Sequence, residues 1–455
     1  MNYNFFDISP RIVRAGQDAR IVIQARYEQR FFNDGEFVLR YCPCDHVFPA
    51  DGHLPRWDEF RPWPAPLQKL DQQTLTTVVN FPGEGEYTFR LCCIDEGREK
   101  QIVEFAMYAL DEDLFALRPY KGDIHNHSSY SECGCRDDNP RYVAAIARSC
   151  GLDFFSISDH MQRMPSEIAR DFTGNFRTEF KLFPAQEMHM LSERIPSLIC
   201  RNRFLPWNHI VAWGIERDLA REMNDNFEEY MLEVTGRAAA ITASGLSDDA
   251  KFICAGADWL CDKIHELGGM AVFCHPFWKP CGRYNLPEAV REYILNGHKW
   301  DVIELIGCVD TTQQETTCIW QCNAWWVEAS IRAGKMLPVI GITDTHNVED
   351  NIRGKYYTLV FAPNSSYNAL RTSMSNGLAL AARQQPDGSC IFIGPSRLVN
   401  FGYFLASEYF REHDDICRIE GGMMRDYLNG GCTANCISEY ADGRITRLQQ
   451  KFWQQ

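Results

Sequence analysis

The sequence predicts an α/β protein in which a (β/α) barrel follows an all-β, sandwich-like domain and precedes a mostly helical C-terminal extension. Three observations carry this. Short β-prone runs separated by turn residues fill the chain up to about Leu117. From Tyr120 onward, apolar strand-like runs alternate with helical patterns. Residues able to do chemistry gather at the C-terminal ends of those runs, which is where a (β/α) barrel keeps them. The corresponding domains are 1–117, 118–362 and 363–455. A chain of 455 residues is too long for one small core, so two or three structural units are expected.

In the first domain the runs 19–26, 36–41, 74–80, 87–92 and 102–107 read as strands. Asp34-Gly35 and the Gly-Glu-Gly at 83–85 supply turns between them. The stretch 55–66, rich in Trp and Pro, reads as a long loop.

In the second domain the strand-like runs end at His125/His127 or cover 152–160, 181–189, 209–215, 270–275, 302–304 and 337–346. Helical patterns fall at 140–150, 227–240, 258–267, 287–296 and 323–333. His209 opens its run where the other candidates close theirs, so its strand runs antiparallel or follows a hairpin from the Glu187 strand. The extension offers a helix at 367–375, a short strand at 390–394 and two helical stretches through Leu428. It carries no cluster of ligand-type residues and reads as barrel closure plus packing.

Composition narrows the function. The balance of 45% hydrophobic and 24% charged residues is that of an ordinary globular chain. No apolar run is long enough to span a bilayer, and Met1 to Arg11 lacks the basic and apolar regions of a signal peptide, so a cytoplasmic location is expected. A net charge of −15 repels phosphate backbones at long range, leaving a short oligonucleotide as the only nucleic acid to consider. A small anionic substrate stays open, because bound cations reverse the local potential. The 19 cysteines, including the pairs Cys42/Cys44 and Cys133/Cys135, do not follow the spacing of a zinc site and read as reduced thiols.

The chemistry starts at His125-Asn-His127. In an extended segment, residues i and i+2 share a face, so both imidazoles can reach one ion. An isolated HxH is as often structural. Here it is followed by Asp159-His160, Glu187, His209, His275-Pro276 and Asp344-Thr-His346, which puts six of the 12 histidines beside strand ends. A shared metal site accounts for all of them, and neutral imidazoles with carboxylates suit Zn, Mn or Fe. Glu187 can bridge two cations, and paired cations activate water and clamp substrate oxygens.

These segments together resemble the PHP (polymerase and histidinol phosphatase) superfamily over residues 120–362: Asp123-Ile-His125-Asn-His127-Ser-Ser-Tyr-Ser-Glu132-Cys-Gly, then Ser-Ile-Ser-Asp159-His160, Glu187, His209, His275-Pro and Asp344-Thr-His346. An N-terminal β-domain before the barrel is similar to the carbaryl-hydrolase-like branch. The resemblance implies a distorted, TIM-like (β/α)7 barrel and two or three divalent ions per chain. In that scheme His125, His127, Glu187 and Asp344 hold a first ion. Glu187, His209 and His275 hold a second. His160 and His346 hold a third with Glu132, which stands where relatives commonly have Asp or His. Glu187, His275 and Asp344 form the catalytic centre.

Several neighbours keep two readings each. Asp123 and Asp159 either orient ligand histidines or satisfy strand-end backbone donors. Glu304 either contacts substrate or packs the barrel rim. His189, two residues after Glu187, rivals His209 as a ligand. Arg136, Arg163, Lys279 and Arg353 follow motif positions and either bind an anionic substrate or stand as solvated loop charges, the commoner state. His265 and His298 read as surface residues.

The expected activity is metal-dependent hydrolysis of a phosphoester in a small phosphorylated substrate. A carbamate, ester or amide is the alternative substrate, and a non-catalytic metal-containing binding module is the alternative class. No P-loop, nucleophile elbow or dinucleotide fingerprint suggests another chemistry.

Overall fold

The computed structural model describes residues 5–27, 30–45, 63–191, 194, 208–279, 282–307, 312–348, 356–385 and 387–455. The chain is of mixed α/β type and divides into two compact units. One comprises residues 1–118, 400–413 and 443–455, and the other residues 119–399 and 414–442.

The first unit holds β1 (Phe6–Ser9), β2 (Ile12–Arg14), β3 (Asp18–Ala25), β4 (Phe37–Pro43), β5 (Trp63–Ala65), β6 (Gln68–Lys69), β7 (Thr74–Asn80), β8 (Gly85–Asp95) and β9 (Arg98–Leu110). They form one sheet in the order β1-β3-β7-β6 and another in the order β2-β9-β8-β4-β5. Along β3 the residues Ala19, Ile21, Ile23 and Ala25 are buried alternately with more exposed neighbours, the period of a strand with one covered face. Ile21, Ile23 and Val79 of one sheet share an apolar core with Leu39, Phe89 and Phe105 of the other. Of the stretch read as a long loop, residues 55–62 lie outside the described residues, and Trp63–Ala65 pairs with β4 as a strand.

The end of the chain belongs partly to this unit. Trp453 bridges Ile12, Arg11 N–H donates to Phe452 O at 2.8 Å, and the Arg11 guanidinium meets Glu408 at 2.6 Å. The region after 363 is therefore shared between the two units.

The second unit holds β10 (Arg118–Asp123), β11 (Phe154–Phe155), β12 (Lys181–Leu182), β13 (Ala185–Met188), β14 (Ile210–Trp213), β15 (Met270–Phe273), β16 (Val302–Ile306), β17 (Val339–Gly341), β18 (Tyr356–Ala362), β19 (Ala379–Gln384) and β20 (Cys390–Ile393). Arg118, the first residue of β10, falls at the end of the first unit. The sheets run β12-β11-β10-β18-β19-β20 and β13-β14-β15-β16-β17. Parallel bridges Asn126↔Thr345 and His160↔Glu187 link segments that follow strands of one sheet to the other. β10–β11, β15–β16 and β16–β17 are parallel, whereas β14 is antiparallel to both β13 and β15.

β14, β15, β17 and β18 are buried along their whole length, which explains their largely apolar runs. In β14, Val211 and Trp213 join one core with Val272, Val302 and Ile340. Ile210 and Ala212 join another with Leu260, Ile264 and Val290 from helices. Those helices include Phe227–Ala240, Asp248–Glu266 and Glu288–Gly297. The helix Asp248–Glu266 begins before the segment expected from periodicity, with Ser247 capping it by accepting the Ala250 N–H at 3.2 Å.

A buried ion network fastens the helix Pro140–Ser149 to the helix Phe410–Leu428. Arg148 donates through Nε and Nη2 to Glu420 Oε2 at 2.9 and 2.8 Å, and its Nη1 reaches Asp153 at 3.3 Å. Thr178 Oγ1 donates to the other oxygen of Glu420.

Candidate metal centre

The strand ends of the second unit bring most of the expected residues together around Glu187. Its Oε2 lies 3.2 Å from His125 Nε2, 3.2 Å from His127 Nε2 and 3.1 Å from His160 Nδ1. Its Oε1 lies 2.6 Å from His209 Nδ1 and 3.3 Å from His275 Nε2. Asp344 Oδ1 stands 2.9 Å from His127 Nε2 and 3.2 Å from His125 Nε2. The antiparallel turn of β14 explains His209: a residue opening a reversed strand sits at the same rim as residues closing its neighbours.

This donor set fits a divalent cation. His125 Nδ1 faces Glu304 Oε1 at 2.6 Å, which assigns its proton to that side and turns the Nε2 lone pair toward Glu187 and Asp344. That Nε2, His160 Nδ1 and Glu187 Oε2 are buried without a hydrogen bond. Acceptors packed this way need positive charge among them, supplied by a metal ion or, without one, by a proton on a ring such as His125. Ligand atoms about 2.1 Å from an ion stand about 3.0–3.4 Å from one another in octahedral or tetrahedral arrangements. That range matches the 3.1–3.3 Å separations here but not the shorter His209–Glu187 contact of 2.6 Å. Compact groups form from His125, His127, Glu187 and Asp344, from His160, Glu187 and His209, and from His125, Glu187, Cys274 and His275.

The electrostatics point the same way. Burial alone would push the Glu187 carboxyl up, but His209, His160 and His125 outweigh it and hold it well below the usual range. Asp344 is likewise held well below, with His125 and His127 prevailing over burial. Burial would lower His125, yet Glu304, Asp344 and Glu187 raise it well above an ordinary imidazole. Burial brings His160 down to about 3 and also lowers His209, which keeps both neutral and ready to ligate. The pocket retains ionised carboxylates and draws positive charge.

Backbone strain gathers at the same place. His275 and Asp344 have φ of 24° and 47°, a region disfavoured for residues with a Cβ. Trp278 closes one side, its ring 5.3 Å from that of His275 and 6.2 Å from that of His209.

The remaining residues divide clearly. Asp123 accepts from His125 N–H at 3.3 Å and from Thr343 N–H and Oγ1 at 3.1 and 2.6 Å, so it satisfies strand-end donors. Burial raises its carboxyl to about 7. Asp159 accepts from Ser128 N–H and Ser131 Oγ at 2.7 Å each, and Ser131 Oγ meets His127 Nδ1 at 3.1 Å, so Asp159 positions His127 through a serine. His189 turns its Nδ1 to Met190 O at 2.8 Å. His346 bonds the Asp344 carbonyl through Nδ1, with its ring 4.6 Å from that of His127, but joins none of the compact groups.

Glu132 departs from the expectation. It is exposed and belongs to none of the compact groups, whereas Cys133 groups with His127 and His160. Burial pushes the Cys133 thiol up, opposed by His127. Among the candidate anion-binding cations, Arg163 is buried and paired with Glu167 and Glu216, Lys279 lies over the Tyr284 ring at 4.2 Å, and Arg136 is exposed. Arg353 lies outside the described residues. His265 pairs with Asp301 at 2.8 Å.

Sequence reasoning left Glu304 open between substrate contact and rim packing, set Cys133 aside as a reduced thiol, and did not single out Cys274, which groups with His125, Glu187 and His275. Glu304 also accepts the His275 N–H at 2.9 Å, so one carboxylate orients two imidazole-bearing segments. The available signal was its place at the end of an apolar run beside the others.

No family model matches the chain, and no curated protein matches it by sequence. Among solved structures, the lesion-specific endonuclease PfuEndoQ from Pyrococcus furiosus is similar at 14% identity and a TM-score of 0.37, over 60% of each chain. The filamin domain of Lin-41 is similar at 12% identity and a TM-score of 0.17, over 23% of this chain and 91% of that one. A glycoside hydrolase from Bacteroides vulgatus, described as putative in its own name, is similar at 8% identity and a TM-score of 0.14, over 32% of this chain and 28% of that one. This chain thus spans less than two thirds of the endonuclease and of the glycoside hydrolase. All three scores are too low to decide its fold or activity.

Proposed function

We propose that the chain is a metal-dependent phosphoesterase acting on a small phosphorylated substrate. The observation that carries this is the double-sided arrangement of Glu187, whose two oxygens face different imidazole sets, His125, His127 and His160 on one side and His209 and His275 on the other. Such an arrangement suits two divalent ions, zinc, manganese or iron, bridged by one carboxylate. When bound, the ions would supply a nucleophile from water at neutral pH and offset charge on the oxygens of the substrate.

The residues of the chain do the rest. Glu187, His275 and Asp344 form the proposed catalytic centre, Glu304 fixes the ring of His125, and Asp159 with Ser131 fixes that of His127. The side chains of His160 and His346 are 22% and 31% exposed, against 0% for His125 and His127, which gives a substrate one open edge. A closed, four-coordinate structural site has no such edge. The fold we assign is a distorted (β/α)7 barrel over 118–362, formed by β10, β11 and β13–β17, whose sheets meet through the two bridges near His160 and Asn126. The two sheets of the first unit are assigned as a sandwich-like domain.

Elemental analysis of purified, reconstituted protein is expected to find two or three ions per chain, and a panel of phosphoesters is expected to contain a substrate. Glu187→Ala should lower occupancy of two ions together and abolish turnover. Trace metal after reconstitution, or full activity in the variant, overturns the reading. Turnover of carbamates or carboxylic esters alone would keep the centre and replace the substrate class.

A further inference from the structure

The loop after His127 presents one donor that the scheme above does not use. Ligand atoms of His127, Cys133 and His160 lie within 4.8 Å of one another. The loop that carries Cys133 is held on both sides. Ser131 N–H donates to Ser128 O at 3.1 Å, Gly134 N–H to Ser131 O at 3.0 Å, and Cys135 N–H to His346 O at 2.9 Å. Ser131 Oγ accepts the His160 N–H at 3.1 Å. A Cβ on Gly134 would stand 2.0 Å from Ser128 O, so the turn closes this tightly only with glycine. Two successive turns bring the Cys133 sulfur to the exposed rim beside His127 and His160, whereas Glu132 joins no such group.

A separate observation marks the same side of the pocket as short of a cation. His160 Nδ1 and Glu187 Oε2 are 3.1 Å apart, both buried, and neither makes a hydrogen bond. Glu187 itself is 1% exposed.

We propose that Cys133 is a thiolate ligand for a divalent ion held with His160 at the rim of the centre, taking the place expected for the Glu132 carboxylate. The proposal rests on the metal-centre reading above. On binding, the S–H bond breaks, the proton leaves to solvent, and the sulfur donates its electron pair to the ion. A thiolate beside imidazole favours zinc or cobalt over the harder manganese and magnesium. The rim would therefore select a softer ion than carboxylate and imidazole alone.

Reduced, metal-free protein titrated with cobalt(II) under exclusion of oxygen tests this. A cobalt–thiolate bond absorbs in the near ultraviolet by sulfur-to-metal charge transfer, whereas imidazole and carboxylate ligands give only weaker visible bands. Wild-type protein and Glu132→Ala should show the charge-transfer band. Cys133→Ser should lose it and bind one cobalt ion per chain at least about tenfold more weakly. Cys133 is exposed, so serine there leaves packing intact. Persistence of the band in Cys133→Ser, or its loss in Cys274→Ser instead, overturns the proposal. Visible bands without charge transfer in the wild type overturn it while leaving the centre standing. No cobalt bands at all overturn both.

Discussion

Glu304 stands behind two residues of the candidate centre, meeting His125 Nδ1 at 2.6 Å and accepting the His275 N–H at 2.9 Å. Carboxylates behind metal-bound imidazoles typically contribute about 10–100-fold in affinity. Glu304→Gln is therefore expected to weaken metal binding within that range while the fold persists, as read by competition against a chelating dye alongside circular dichroism. Unchanged affinity would reduce Glu304 to rim packing. At this scale the sequence was partly legible. His125-Asn-His127 and Asp344-Thr-His346 announce themselves by spacing, because an i, i+2 pair shares a face in extended chain. Glu304 and Cys133 carry no such mark. Their roles depend on which segments a bulged strand end and a pair of tight turns place opposite them, and spacing does not encode that.

The reversal of β14 decides how the strands bring their ends to one rim. The run from His209 to Ile215 was readable as a strand, and its odd order of ligand before apolar residues already hinted at the reversal. The close approach that ends it was not readable. Gly214 has φ of 80°, and a Cβ there would fall 1.9 Å from the Tyr367 ring. Tyr367 in turn donates to Trp213 O at 3.0 Å. Gly214→Ala is expected to cost about 1–3 kcal/mol from overpacking alone, with the left-handed backbone adding to it. Urea denaturation followed by circular dichroism checks this, and a loss below about 0.5 kcal/mol would show that the ring moves aside freely. Helices were easier: Phe227–Ala240 and Tyr367–Ser375 coincide with their periodic segments, whereas Thr312–Ala333 begins earlier than periodicity indicated. Amphipathic patterns mark the middles of helices better than their ends.

Within the second unit, a buried ion pair distant in sequence adds to what the apolar cores hold. Arg148 is fully buried, and its guanidinium depends on Glu420, 272 residues away in sequence. Coulombic attraction from Glu420 and Asp153 outweighs burial and keeps Arg148 charged, so the pair persists at any ordinary pH. Removing one partner of a buried pair strands the other, at a cost of about 3–5 kcal/mol. Glu420→Ala is expected to fall in that range in chemical denaturation. Replacing Arg148 and Glu420 together by Met and Leu should recover much of the loss, and an equal loss in the double variant would count against a stranded charge as the cause. Such a pairing was invisible in the sequence, because nothing local to the helix at 410–428 signals which buried cation it must neutralise. The same limit applies to the division of residues after 363 between the two units: amphipathic helices declare that they pack but not against what.

Trp278 lies against His275 and His209 with ring separations of 5.3 and 6.2 Å. The indole is therefore an optical gauge of the pocket. Imidazolium quenches indole emission by accepting an excited-state electron. Against burial, Glu187 and Asp344 raise His275 and make it the charged ring here. Once committed to a closed-shell ion such as zinc, it quenches less. Filling the site with zinc should brighten the protein, even against the background of its 11 tryptophans. Trp278→Phe should erase that response while leaving zinc uptake intact. Stopped-flow fluorescence of the native chain would then time the arrival of the ion without any attached dye.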